Sequence, residues 1–104
     1  MPSHLARPVL FAVLALMLCI GGGCGPTLYM SKIDDAEQEF ERAVEENARW
    51  YAPYEYHFAR VHLEKAREEA AAASYEDALR FARTAEGFSK RAVEIARRKR
   101  GGQR

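Results

Sequence analysis

Apolar residues are laid out along this chain in two ways. From Val9 to Ile20 twelve residues, VLFAVLALMLCI, run without a charged or strongly polar side chain. Beyond residue 30 the apolar positions recur at steps of three and four, as one face of a helix requires. Ile33, Ala36, Phe40, Ala43 and Val44 mark a first face. Tyr56, Ala59, Leu63, Ala66 and Ala70 mark a second, a narrow seam of the kind used in helix-on-helix packing. Ala78, Ala82, Ala85, Ala92 and Ala96 mark a third, with Ser89 in the remaining seam position and Leu79, Phe81, Phe88, Val93 and Ile95 alongside. The pattern predicts helices over about 32–51, 53–72 and 75–99.

The punctuation between these faces is consistent with that division. Ser31-Lys32-Ile33-Asp34 has the form of a capping box, and so has Ser74-Tyr75-Glu76-Asp77. Proline disfavours helical geometry in the residue before it and suits the first turn of the next helix, so Ala52-Pro53 marks a boundary. Gly87 is a mild weakness inside the third helix. Arg97-Arg98-Lys99-Arg100 places cations at a helix end where the dipole favours them, and residues 101–104 follow as a disordered tail. The β-branched residues are few and never alternate, so no strands are expected. The fold class is all-α: a three-helix up-down-up bundle, or a helical hairpin with an added N-terminal helix, preceded by a signal peptide. Alanine at so many seam positions lets helices approach closely, and short connections make successive helices antiparallel neighbours.

The first 23 residues read as that signal. Arg7 precedes the apolar run and no acidic residue occurs before Asp34. The run has the length of a signal-peptide core and falls short of the roughly 20 apolar residues a spanning helix needs. Gly21-Gly22-Gly23 then weakens the helix and leaves an accessible backbone ahead of Cys24. Here the chain resembles the lipobox of bacterial lipoproteins: Gly22, Gly23 and Cys24 match, while Gly21 stands where leucine is usual. That resemblance implies cleavage before Cys24 and a covalent lipid on its sulfur, with residues 24–30 as a short tether and 31–100 as the helical domain. An uncleaved anchor or an ordinary secretory signal is the alternative. Gly25, not Asp, follows Cys24, which favours the outer membrane, facing the periplasm.

Cleavage would remove Arg7 and leave 15 basic against 15 acidic residues. A neutral balance argues against a nucleic-acid partner, which draws on a basic surplus. Cys19 would leave with the signal and Cys24 would carry lipid, so no disulfide staples a domain of roughly 80 residues. Oligomerisation or partner contact is a natural supplement at that size.

Candidate chemistry is sparse. His57 and His62 are five apart, off the i,i+4 spacing that clamps a metal, and Glu55 and Glu69 do not complete a set. No serine has a nucleophile-elbow context. We therefore expect no enzyme, no metal and no cofactor beyond the lipid. Trp50, Tyr51, Tyr54, Tyr56 and Phe58 put five rings within nine residues. They either plug the bundle end at the corner between helices or form a partner-binding patch.

Two wider resemblances follow. Ala52-Pro53-Tyr54-Glu55, Tyr56-x-x-Ala59, Leu63-Glu64-Lys65-Ala66, Tyr75-Glu76-Asp77-Ala78 and Ala82-x-x-Ala85, across about residues 30–97, resemble a family of small alanine-rich bacterial envelope lipoproteins. That family is catalogued as a domain of unknown function, and it implies a helical domain beneath the outer membrane with no activity to carry over. Ser74-Tyr75-Glu76-Asp77-Ala78-Leu79 also resembles the second helix of a tetratricopeptide unit, but no second copy follows at 34 residues. The functional expectation is a non-catalytic structural or protein-interaction module, held to the membrane by lipid and contacting envelope proteins or cell wall. The alternative is an adaptor subunit of an envelope transport, motility or secretion complex.

Overall fold

The computed structural model describes residues 3–21 and 24–102, and every element in them is helical. The helices are α1 (Ser3–Gly21), α2 (Cys24–Glu45), α3 (Ala48–Tyr51), α4 (Pro53–Ala71) and α5 (Tyr75–Gly102). The molecule is extended, 85 × 23 × 14 Å. Gly22 and Gly23, expected to belong to a lipobox, lie outside the described residues, as does the side chain of Cys24.

Helix α5 organises the rest. Its seam, Ala78, Ala82, Ala85, Ser89, Ala92 and Ala96, steps by four and three and is fully buried. Both α2 and α4 pack against it, and they touch each other less. Chain direction follows from the pairs. Tyr29 meets Tyr75, Lys32 meets Glu86 and Glu46 meets Arg97 and Arg100, so α2 and α5 advance together. Phe58 meets Phe88 while His62 meets Phe81, so α4 runs the other way.

The core has two parts. One gathers Tyr29, Ile33, Ala36, Leu63, Ala66, Ala78, Ala82 and Ala85. The other gathers Ala43, Ala48, Ala52, Ala92, Val93 and Ala96 around the corner. Of the fifteen buried apolar residues described, eleven are alanine, and no fully buried side chain is larger than serine. The helices are therefore held by close backbone approach, with larger residues such as Phe40, Tyr56 and Phe81 sealing the flanks.

Several boundaries differ from the sequence expectation. The first helix of the domain begins at Cys24, not near residue 32, so residues 24–30 are helical and Ser31 is an exposed interior position instead of a cap. The cause is Tyr29: it lies one turn before Ile33, continues the seam and is 7% exposed. Pro26 does not oppose this, because first-turn amides have no helical partner to lose. The same helix stops at Glu45, where Asn47 takes the left-handed conformation (φ 59°) and donates its amide to the Val44 carbonyl at 3.0 Å. Asparagine is one of the few residues that tolerates this. A single turn, α3, then leads to Ala52 and to Pro53 at the start of α4, at the expected boundary. Val44 is 53% exposed, because the seam runs through Ala43 and the next residue is turned about 100° away.

The α4–α5 corner closes without a breaker residue. Ala73 is left-handed (φ 60°), its amide reaches the Ala70 carbonyl at 2.9 Å, and the Ser74 amide reaches Glu69 at 2.8 Å. This is a Schellman closure with alanine in the position usually held by glycine. At the other end α5 continues through Gly101 and Gly102, which were expected to be disordered; neither adopts a positive φ, so nothing there terminates the helix.

Candidate functional site

The corner between α2 and α4 divides the five aromatic residues singled out in the sequence. The α4 seam passes through Ala52 and Tyr56, so Tyr56 turns inward, half-buried, and stacks on Phe40 with ring centres 5.1 Å apart. Tyr51 is also half-buried against the upper core. Trp50 and Tyr54 point outward, 79% and 64% exposed. Phe58 lies on the outer edge of the α4–α5 contact. The rings therefore divide: Tyr51 and Tyr56 seal the bundle end, and Trp50, Tyr54 and Phe58 remain on the surface.

The outward rings continue into a longer apolar strip. Tyr54, Phe58 and His62 follow one another at single-turn spacing on α4, with ring centres 5.5 Å and 4.6 Å apart. From α5, Phe88 packs on Phe58 at 4.5 Å and Phe81 approaches His62 at 5.9 Å. His62 also sets its Nδ1 2.8 Å from the Phe58 carbonyl. The result is an open groove along α4, lined by Pro53, Tyr54, His57, Phe58, Val61 and His62. Sequence reasoning treated Phe81 and Phe88 as flank residues of the core and did not single out Val61. Their legible signal is spacing: Phe81 and Phe88 are seven apart, and Tyr54, Phe58 and Val61 step by four and three, a second seam on the outer side of α4.

Charges fasten the same end. Glu46 accepts from Arg97 at 3.2 Å and from Arg100, and these guanidiniums, Arg100 foremost, hold its carboxyl below the ordinary range. Lys99 donates to the Tyr51 carbonyl at 2.6 Å. Three of the four cations in the Arg97–Arg100 run are therefore engaged in tying the tip of α5 to the corner. Lower down, Glu86 accepts from Lys90 at 2.9 Å and Lys32 at 3.0 Å, and these ammoniums likewise lower its carboxyl. Burial raises the Tyr29 phenol.

Other candidates stand apart. His57 and His62 both line the groove along α4, and among the described residues no three His, Cys, Asp or Glu side chains converge as a metal site would need. Ser89 Oγ is buried without a hydrogen-bond partner, on a seam otherwise built of alanine. Along α1 the apolar side chains are exposed, among them Leu10, Phe11, Leu16 and Met17. Among the described residues no helix is long and apolar enough to cross a membrane.

Residues 31–103 match a family described as a domain of unknown function, DUF4398. No curated protein and no solved structure gives a match.

Proposed function

We propose that this chain, which belongs to the DUF4398 family, is a lipid-anchored, non-catalytic interaction module of the bacterial cell envelope. The observation that carries the reading is the N-terminal order: Arg7, the apolar run from Val9 to Ile20, then Gly21-Gly22-Gly23-Cys24. Cleavage before Cys24 and lipidation of its thiol would fix the start of α2 at a membrane surface. The apolar residues exposed along α1 support its being a segment meant for a non-aqueous setting. Gly25 after Cys24 supports the outer membrane, facing the periplasm, and no cofactor is required.

On this reading α2, α4 and α5 act as an up-down-up bundle, and the corner bearing Trp50 and Tyr54 is its membrane-distal end. Helix α2 rises about 33 Å from Cys24 to Glu45. The exposed rings favour envelope proteins over cell wall as partners, because Trp and Tyr supply large contact area at small entropic cost. An adaptor subunit of a transport, motility or secretion complex is the second reading, favoured by the length of the groove along α4.

The test is the intact mass of the chain recovered from bacterial membranes, beside Cys24→Ser. A species beginning at Cys24 with a diacylglycerol-sized or larger adduct, absent from the variant, is the expected result. Full-length, unmodified protein would overturn the lipoprotein reading and leave an alanine-rich helical bundle behind an ordinary N-terminal anchor.

A further inference from the structure

Helix α2 changes character at Ser31. From Ile33 to Ala43 its apolar side chains keep to the one face that meets the core. Before that, Leu28 and Met30 are 60% and 59% exposed, while Tyr29 between them is buried. Positions two apart on a helix are turned about 200° from each other, so Leu28 and Met30 leave it on opposite sides. A facing helix would engage one stripe, whereas apolar side chains on opposite sides suit a surrounding apolar medium. Helix α1 shows the same pattern, with Val9, Leu10, Phe11, Val13 and Leu14 all exposed. Gly21, which ends α1, and Cys24, which begins α2, are three residues apart, a reach of at most about 11 Å. The first turns of α2 therefore stay beside whatever holds the apolar run.

The α4–α5 corner completes this end of the bundle. Tyr29 meets Tyr75 with ring centres 6.3 Å apart, and Ala70 packs against the same core. Ala71, Ala72 and Ala73 are exposed around the turn. No charged side chain occurs from Cys24 to Ser31 or from Ala70 to Tyr75, in a chain where 30% of residues are charged. Lys32, Glu69 and Glu76 are the first charges beyond it on the three helices, and the opposite end carries Glu46, Arg49 and the Arg97–Arg100 run. We infer that the uncharged end is a membrane seat: the bundle stands directly on a lipid surface, with Leu28, Met30 and the Ala71–Ala73 turn in the headgroup region. Tyr29 and Tyr75 lie at the upper edge of that layer, a level that suits an apolar ring with a polar tip. The contact is apolar and not electrostatic, so it requires no anionic lipid. The inference rests on the proposed membrane anchoring, whether by lipid on Cys24 or by α1 itself.

The test uses the full chain with Cys19→Ser and Cys24→Ser, reconstituted into phosphatidylcholine vesicles, so that α1 is retained and no lipidation intervenes. Single cysteines at exposed positions, Met30→Cys and Ala72→Cys at the seat and Val61→Cys midway up α4, each carry an environment-sensitive fluorophore. Trp50, the one tryptophan of the chain, reports the far end. The probes at 30 and 72 should be quenched by lipids brominated near the headgroup and be less accessible to aqueous iodide than the probe at 61 by about three-fold or more. The probe at 61 and Trp50 should stay open to iodide, and raised salt should change none of this. Leu28→Glu, added to the Ala72→Cys chain, should restore iodide access at 72 with helicity unchanged. Equal iodide access at 30, 72 and 61, or a chain that does not float with the vesicles, would overturn the seat. Shielding from iodide without quenching by brominated lipid would overturn it as well, and would place protein on this end. Because this chain lacks Cys24, the result is independent of the intact-mass measurement, and the lipoprotein reading and the seat can fail separately.

Discussion

Replacing Ser89 by alanine should make this protein more stable. Ser89 lies on the α5 seam, wholly buried, and its hydroxyl has no partner. A buried polar group without a hydrogen bond costs about 1–3 kcal/mol relative to its hydrated state. Alanine removes that group, fits the seam it shares with Ala85 and Ala92, and adds about 0.5 kcal/mol of helix propensity. Against this stands the loss of one oxygen atom's packing, a few tenths of a kcal/mol on the scale of dispersion contacts. The net is a gain of about 1–2 kcal/mol, and at about 4–8 °C per kcal/mol for a domain of this size the melting temperature should rise by roughly 5–15 °C. Thermal unfolding followed by circular dichroism at 222 nm, with a urea titration in parallel, measures it. Ser89→Val is the companion: it adds volume where the helices meet and should destabilise by about 1–3 kcal/mol. A lower melting temperature for Ser89→Ala would refute the reasoning, because it would mean that the hydroxyl is bonded in the folded protein.

Two further substitutions of opposite kind should both stabilise. Gly87→Ala adds a methyl group into open space inside α5 and should gain about 0.5–1 kcal/mol in urea unfolding. Ala73→Gly relieves a left-handed alanine and should gain about 1 kcal/mol. Leu63→Ala removes the one large aliphatic side chain buried on the α4 seam and should lose about 2–4 kcal/mol, whereas Trp50→Ala and Tyr54→Ala should leave helicity and melting within about 0.5 kcal/mol. Because the folded carboxyls of Glu46 and Glu86 are held low by their cations, they contribute stability at neutral pH that is lost as pH falls below about 5. Melting should drop across that acid range, and the double variant Glu46→Gln, Glu86→Gln should show a flatter profile at lower overall stability.

The register of the bundle was legible in the residues, and its endpoints were not. The α4 and α5 seams stand where the three-four spacing put them, because alanine at those positions leaves only one face able to pack closely. Pro53 opened α4 as its chemistry dictates. The start of α2 was misread because Ser31 is a good cap in isolation, yet burying Tyr29 against Tyr75 outweighs what a cap contributes. Asn47 carried a usable signal, its tolerance of a positive φ, that goes unnoticed when only proline and glycine are treated as breaks. Ala73 carried none: alanine disfavours that conformation, and only closure of the α4–α5 corner imposes it. The aromatic strip was half legible. Tyr54 and Phe58 stood out by composition, but their continuation through Phe81 and Phe88 depends on how two helices meet, which no local pattern encodes.

That α2 and α4 both rest on α5, and less on each other, has a consequence for how the chain would be delivered under the proposed export. A chain that is passed lengthwise through a pore emerges with α2 first, then α4, then α5. Until the last of these is out, Ile33 and Leu63 lack most of the surface they bury against, and the preceding helices are individually marginal in water. Commitment to the native state is thus deferred to the final segment to arrive. Under that proposal everything ahead of it would stay slack enough to be threaded, and the molecule would lock only when translocation is nearly finished.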